Sequence, residues 1–143
     1  MSYANIKTKF KNRLESLGFV EAKHKFDFDY VPDIVVNKSY SINTPKLVDP
    51  KEAKDVNQFF YRLLTVQVLI AYKMKVFGEV VSYDSIPTDW ENISYDLEKT
   101  ANFPTGVILV EFKGATLNQI SKKEPIYVVS KLDFDCLYRK SYL

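Results

Sequence analysis

A chain of 143 residues, 46% hydrophobic and 27% charged, suits a single domain that buries roughly two-thirds of its unfolded surface without a disulfide or metal staple. Its 20 basic and 18 acidic residues leave a formal net charge of +2, too even for the basic face that nucleic-acid-binding domains carry. Cys136 stands alone, which excludes an intrachain disulfide, and no run of about 18 apolar residues offers a membrane-spanning helix.

The aromatic share is high at 15%, from ten Tyr, ten Phe and Trp90. Tyr joins a large apolar area to a polar tip. Two readings follow: a protein interface rich in Tyr, or a large aromatic core with Tyr at strand edges. The start, Met1-Ser2-Tyr3-Ala4-Asn5, is polar and followed by lysines. The expectation is a protein made in the cytosol without a secretory leader.

Residues 3–17 read as a helix. Ile6, Phe10, Leu14 and Leu17 share one face, Lys7, Lys9, Lys11, Asn12 and Arg13 occupy the others, and Gly18 stands where a C-cap glycine belongs. Lys7, Lys9, Lys11, Arg13, Lys23 and Lys25 face only Glu15 and Glu21, a local basic excess that reads as a solvated face. From Phe26 the period changes to two: Phe26, Phe28 and Tyr30 alternate with Asp27 and Asp29, as in a half-buried strand. Pro32 interrupts, residues 31–33 read as a turn or bulge, and Ile34, Val36, Lys38, Tyr40 and Ile42 resume the alternation up to Pro45. Residues 43–57, with Pro45, Pro50 and no apolar period, read as a long loop.

Residues 59–73 form a long strand, with Phe60, Leu64, Val66, Val68, Ile70 and Tyr72 on one face and Arg62 breaking the series. It exceeds usual strand length, so it is expected to bend or project past the domain. Residues 83–101 read as a second helix through Ile86, Trp90, Ile93 and Leu97. Thr88 with Glu91 offers a capping box, and Asp84 or Ser85 an earlier start; Asn102 and Pro104 end it. Residues 105–112, with Val107, Ile108, Leu109 and Val110 in succession, look like a central strand covered on both faces. Residues 126–138 alternate Ile126, Val128, Leu132, Phe134, Cys136 and Tyr138 with Lys131, Asp133 and Asp135, a half-buried strand in which Cys136 is a small core residue. The expectation is one α+β domain over 1–143, a mainly antiparallel twisted sheet packed against two amphipathic helices.

Catalytic chemistry finds few residues. His24 is the sole histidine and lies between Lys23 and Lys25 with no apolar pocket to hold it. Four glycines leave no phosphate loop; Gly78, Gly106 and Gly114 read as turn or bulge residues. Asp27/Asp29 and Asp133/Asp135 each point one way along a strand, and would gather four carboxylates for Ca²⁺ or Mg²⁺ if those strands were neighbours. The alternative is that both pairs are solvated strand faces. Phe60-Tyr61-Arg62 and Tyr138-Arg139-Lys140-Ser141-Tyr142 suit base stacking or, with near-neutral charge, strand-edge packing. No enzyme activity and no cofactor or metal is expected.

The helix ending Leu14-Glu15-Ser16-Leu17-Gly18-Phe19, Val31-Pro32 leading to Lys38-Ser39-Tyr40-Ser41-Ile42, and the strand Thr65-Val66-Gln67-Val68-Leu69-Ile70-Ala71-Tyr72 form a pattern. It continues through Asp96-Leu97-Glu98-Lys99 and Leu132-Asp133-Phe134-Asp135-Cys136-Leu137-Tyr138. This arrangement resembles the tail terminator (tail completion) proteins of long-tailed bacteriophages. The likeness spans nearly the whole chain as an order of elements; residues 45–56, rich in Lys and Asp, match no motif of that family.

The resemblance implies a virion protein that closes into a hexameric homo-oligomeric ring on the tail tube, stops its polymerisation and joins the tail to the head-side connector. It implies partners in other copies of the chain, the tail-tube protein and a head-completion protein, with no membrane and no specific nucleic acid. The location implied is the virion tail, and the host cytoplasm during assembly. Ring contacts between like subunits are heterologous and closed, and strand addition suits long strands. Under it, Phe59, Tyr61, Arg62 and Tyr72 are the expected subunit-contact anchors. Lys46, Asp49, Lys51 and Lys54 are the expected partner contacts of the loop, aided by the basic first helix. The competing readings are another phage neck or adaptor protein, monomeric alone, and a small-ligand or nucleic-acid-binding module with a concave apolar pocket or salt-sensitive binding.

Overall fold

The computed structural model describes residues 3–24, 26–31, 36–48, 61–73, 75–76, 79–80, 85–120 and 127–139. In chain order the elements are α1 (Tyr3–Ser16), β1 (Val20–Glu21), β2 (Ser39–Val48), β3 (Tyr61–Lys73), β4 (Lys75–Val76), β5 (Glu79–Val80), α2 (Ser85–Glu98), a 3-10 turn (Thr100–Asn102), β6 (Val107–Gln119) and β7 (Tyr127–Arg139). Five strands form one sheet in the order β1-β2-β3-β7-β6, and β4 pairs with β5 in a small ribbon. All pairings are antiparallel except β1 with β2. The expected α+β class and mainly antiparallel sheet are therefore present.

α1 stops where its sequence says it should. Gly18 adopts φ +97°, a region costly to any residue with a Cβ. The Phe19 N–H donates to the Leu14 carbonyl and the Gly18 N–H to the Glu15 carbonyl, both at 3.1 Å. This is the Schellman pattern, and its usual apolar clasp is supplied by Leu14 and Phe19, both buried in the same cluster. The turn sends the chain straight into β1.

Period two on β3 and β7 divides the core between the sheet's faces. Leu64, Val66, Val68, Ile70 and Tyr72 of β3, with Val128, Leu132, Phe134 and Cys136 of β7, join Ile6, Phe10 and Leu14 of α1 and Ile86, Ile93 and Leu97 of α2 in the main cluster. The opposite face holds a smaller cluster, in which Phe26 and Val31 cover Leu69, Ala71, Tyr127 and Val129. The helices are clamped together by Arg13, whose Nε and Nη2 donate to Asp96 Oδ1 and Oδ2 at 2.8 and 2.6 Å.

Several expectations need correction. The alternating stretch Phe26–Tyr30 is not a strand. It is a turn closed by the Asp27–Tyr30 bridge, with Asp27 Oδ1 accepting the Phe28 N–H at 2.7 Å; Phe26 and Phe28 serve as a lid for the second face, while Tyr30 is exposed. β2 begins at Ser39 and runs through Pro45 to Val48, so the expected loop starts later. Pro45 is tolerated because β2 is an outer strand beyond β1 and because its register shifts between Asn43 and Lys46. Rather than projecting alone, β3 pairs with β7 from Tyr61↔Arg139 to Lys73↔Tyr127. α2 starts at Ser85, the earlier of the two expected starts, leaving Thr88 and Glu91 inside the helix. β6, expected in the centre, is the outermost strand. Its register shifts between Val107 and Leu109; Val107 and Val110 turn into the core, while Ile108 and Leu109 are 50% and 47% exposed. Asp49, Lys51, Lys54 and Phe59, with the rest of 49–60, lie outside the described residues.

Candidate functional site

Among the described residues, the second face of the sheet is covered at one end only. Away from the Phe26 and Val31 lid, the register sets Leu63 of β3 opposite Leu137 of β7, and Leu137 opposite Leu109 of β6. These three leucines form a row across neighbouring strands. Leu63 and Leu137 are half-buried and Leu109 is exposed. Neither apolar cluster of the described residues includes them. Tyr61, half-buried, sits two residues before Leu63 on the same face.

The next row is polar. Lys46 of β2 faces Thr65 of β3, which faces Asp135 of β7, which faces Glu111 of β6. Lys113 Nζ lies 3.4 Å from Glu111 Oε1 and 3.9 Å from Asp135 Oδ2. Thr65 Oγ1 donates to Asp135 Oδ1 at 3.4 Å. Such exposed contacts contribute little, about 0–1 kcal/mol each. An apolar row bordered by mixed charges has the anatomy of a protein contact, with an apolar centre and a polar rim.

Beside this surface runs the β6 edge. Among the described residues no strand pairs with its outer side. The Phe112 N–H donates to Glu98 Oε2 of α2 at 3.4 Å, a partial guard of the kind that exposed edges carry. Leu117, farther along β6, is 41% exposed.

The expected site residues fall unevenly on this surface. Tyr61 extends the leucine row, Arg62 is exposed on the adjacent position, and Lys46 belongs to the polar rim. Tyr72 does not join them. It is 0% exposed, and its hydroxyl donates to Asp89 Oδ2 at 2.9 Å, so it is an internal residue of the subunit. Asp89 also receives Lys38 Nζ at 3.4 Å, and nearby Trp90 Nε1 donates to Ser130 Oγ at 2.8 Å. The four-carboxylate idea is not realised: Asp27 and Asp29 lie in the turn and not on a strand beside β7. Among the described residues no group of His, Cys, Asp and Glu is arranged to hold a metal ion. His24 is exposed. Cys136 is buried, which pushes its thiol up to about 12 and keeps it protonated. The leucine row was missed from sequence; its signal was leucines standing out of phase with the core on two half-buried strands.

Two buried phenols make stability sensitive to alkali. Tyr40 Oη donates to Glu15 Oε1 at 2.9 Å. Burial first, and then the adjoining carboxylate of Glu15 or Asp89, pushes Tyr40 and Tyr72 well above the ordinary value of 10.0. Unfolded, both titrate near pH 10. Their contribution is therefore whole below about pH 10 and is lost as pH rises from there through the raised folded values. Tyr40→Phe and Tyr72→Phe should each flatten the fall in unfolding free energy above about pH 10, measured by urea titration across pH; an unchanged slope contradicts this assignment.

No protein-family model matches this chain and no curated protein matches its sequence, so its functional reading is carried by this surface and by the order of its elements.

Proposed function

We propose that the chain is a self-assembling virion subunit with a tail-terminator type of fold, which closes into a ring on the end of a phage tail tube, ends tube growth and joins the tail to the head-side connector. The observation that carries this reading is the row Leu63, Leu137 and Leu109 beside the β6 edge, both left uncovered by the described residues. A ring needs one patch of each subunit to meet a different patch of the next. The leucine row and β6 edge supply the first patch, with Tyr61 and Arg62 at its border. The basic face of α1 and the Lys-rich stretch with Asp49, Lys51 and Lys54 supply contacts to the tube and connector.

Leu109→Asp tests the reading. The side chain is exposed, so the folded subunit accepts the change with little loss of stability. Buried in a subunit contact, the new carboxylate would cost at least about 2 kcal/mol per junction. The expected outcome is a variant with the parent's circular dichroism and melting temperature that stays monomeric and no longer caps tubes. Unaltered assembly and capping would remove the leucine row from the contact.

A further inference from the structure

On the other side of the molecule, α1 and the outer edge of β2 enclose an open groove of about 400 Å³, within the size range of ligand sites. Lys7, Thr8 and Lys11 line it from the helix; Ala22, Ser41 and Ile42 line it from the strands. β1 fills only the first part of this edge. The Val20 N–H donates to the Lys38 carbonyl and the Ala22 N–H to the Tyr40 carbonyl, so even-numbered residues at the start of β2 turn their peptide groups outward. By the same alternation Ile42 does so too, and Thr44, next in the series, stands at the register shift between Asn43 and Lys46; among the described residues no strand pairs with either on that side.

The groove already shows what it accepts. Glu21, the last residue of β1, places Oε2 2.7 Å from Lys11 Nζ. β1 runs back along α1 after the Gly18 turn, so the next helix residue met is Lys7, one turn or about 5.4 Å away. Along a strand, the next side chain on the same side lies about 6.7 Å on. In this chain that position falls to Lys23, but the backbone bends at residues 23–24 and Lys23 does not line the groove. Lys7 is exposed, and among the described residues no carboxylate pairs with it.

We propose that this groove takes an extended segment of a partner chain bearing carboxylate side chains, which adds as a strand beside Ile42 and Thr44, in line with β1, and repeats at Lys7 the pairing that Glu21 makes with Lys11. Main-chain hydrogen bonds give such a segment its hold and the lysine selects its charge. The site does not depend on the ring reading, since it uses the opposite edge of the sheet.

The test uses the full chain and two capped hexapeptides, one alternating valine with glutamate and the other valine with lysine. Nuclear magnetic resonance follows amide shifts and hydrogen exchange, and the solution mass is recorded on the same samples. The glutamate peptide should slow exchange at Ile42 and Thr44 and shift Lys7, while the lysine peptide does neither. Lys7→Glu, at an exposed helix position, should weaken the glutamate peptide about tenfold and admit the lysine peptide; Lys7→Gln should weaken the first without admitting the second. No change at Ile42 and Thr44, or equal response to both peptides, overturns the proposal. A normal assembly in those samples shows that the groove alone has failed.

Discussion

Phe134→Ala should lower the unfolding free energy by about 3–5 kcal/mol, a large part of the roughly 5–15 kcal/mol that holds a domain together. Phe134 is 0% exposed on β7, with Val66 of β3 on one side and Phe112 of β6 on the other. Phe10 of α1 meets its ring edge-on, with centroids 5.7 Å apart and planes at 89°. Phe112 lies 5.2 Å away at 44°. One side chain thus ties the first helix to both closing strands. Truncation removes apolar burial and two aromatic contacts, and leaves a cavity that rigid strands cannot close. Urea unfolding should show a lower midpoint with the same slope, and a melting temperature lower by about 10–20 °C. A loss below about 1 kcal/mol would mean that the ring is not packed as described.

Asp96→Ala should destabilise by about 2–4 kcal/mol, through the charge it strands and not through lost volume. The Asp96 side chain is 9% exposed and that of Arg13 29%. The guanidinium donates to both carboxylate oxygens, the fork geometry that distinguishes arginine pairs. Removing the carboxylate leaves Arg13 half-buried without its partner, which costs more than the pair itself contributes. Combining Asp96→Leu with Arg13→Met should recover much of the loss, since neither charge is then left alone. Double-mutant-cycle denaturation measures the coupling. If Asp96→Ala alone changes stability by less than about 0.5 kcal/mol, the clamp between α1 and α2 is a surface contact.

The helices and the two longest paired strands could be read from the chain because their periods are local. Ile6, Phe10 and Leu14 on α1, the even positions of β3 from Leu64 to Tyr72, and those of β7 are all buried as their spacing implies. Gly18 ended α1 for a reason visible at that residue. The misreadings share another cause: they depend on what lies across the sheet. Phe26, Phe28 and Tyr30 alternate like a strand, yet Phe26 is buried by lying over Leu69 and Tyr127 and not by pairing. The run Val107–Val110 looked doubly covered because a one-residue register shift, invisible locally, sends its residues to different sides. Tyr72 carried the chemistry of an interface anchor, but Asp89, seventeen residues on, turns its hydroxyl inward. The leucine row exists only through the register of three strands, and Leu63, Leu109 and Leu137 are far apart in sequence.

Both ends of the proposed function meet in one observable, the state of the chain in solution and on tubes. Light scattering after size exclusion should be made on the chain alone and then mixed with a tail-tube protein. A closed ring of several subunits, or subunits retained on tube ends that stop lengthening, is the predicted result. A chain that stays monomeric at every concentration and leaves tube ends free to grow would contradict the assembly role.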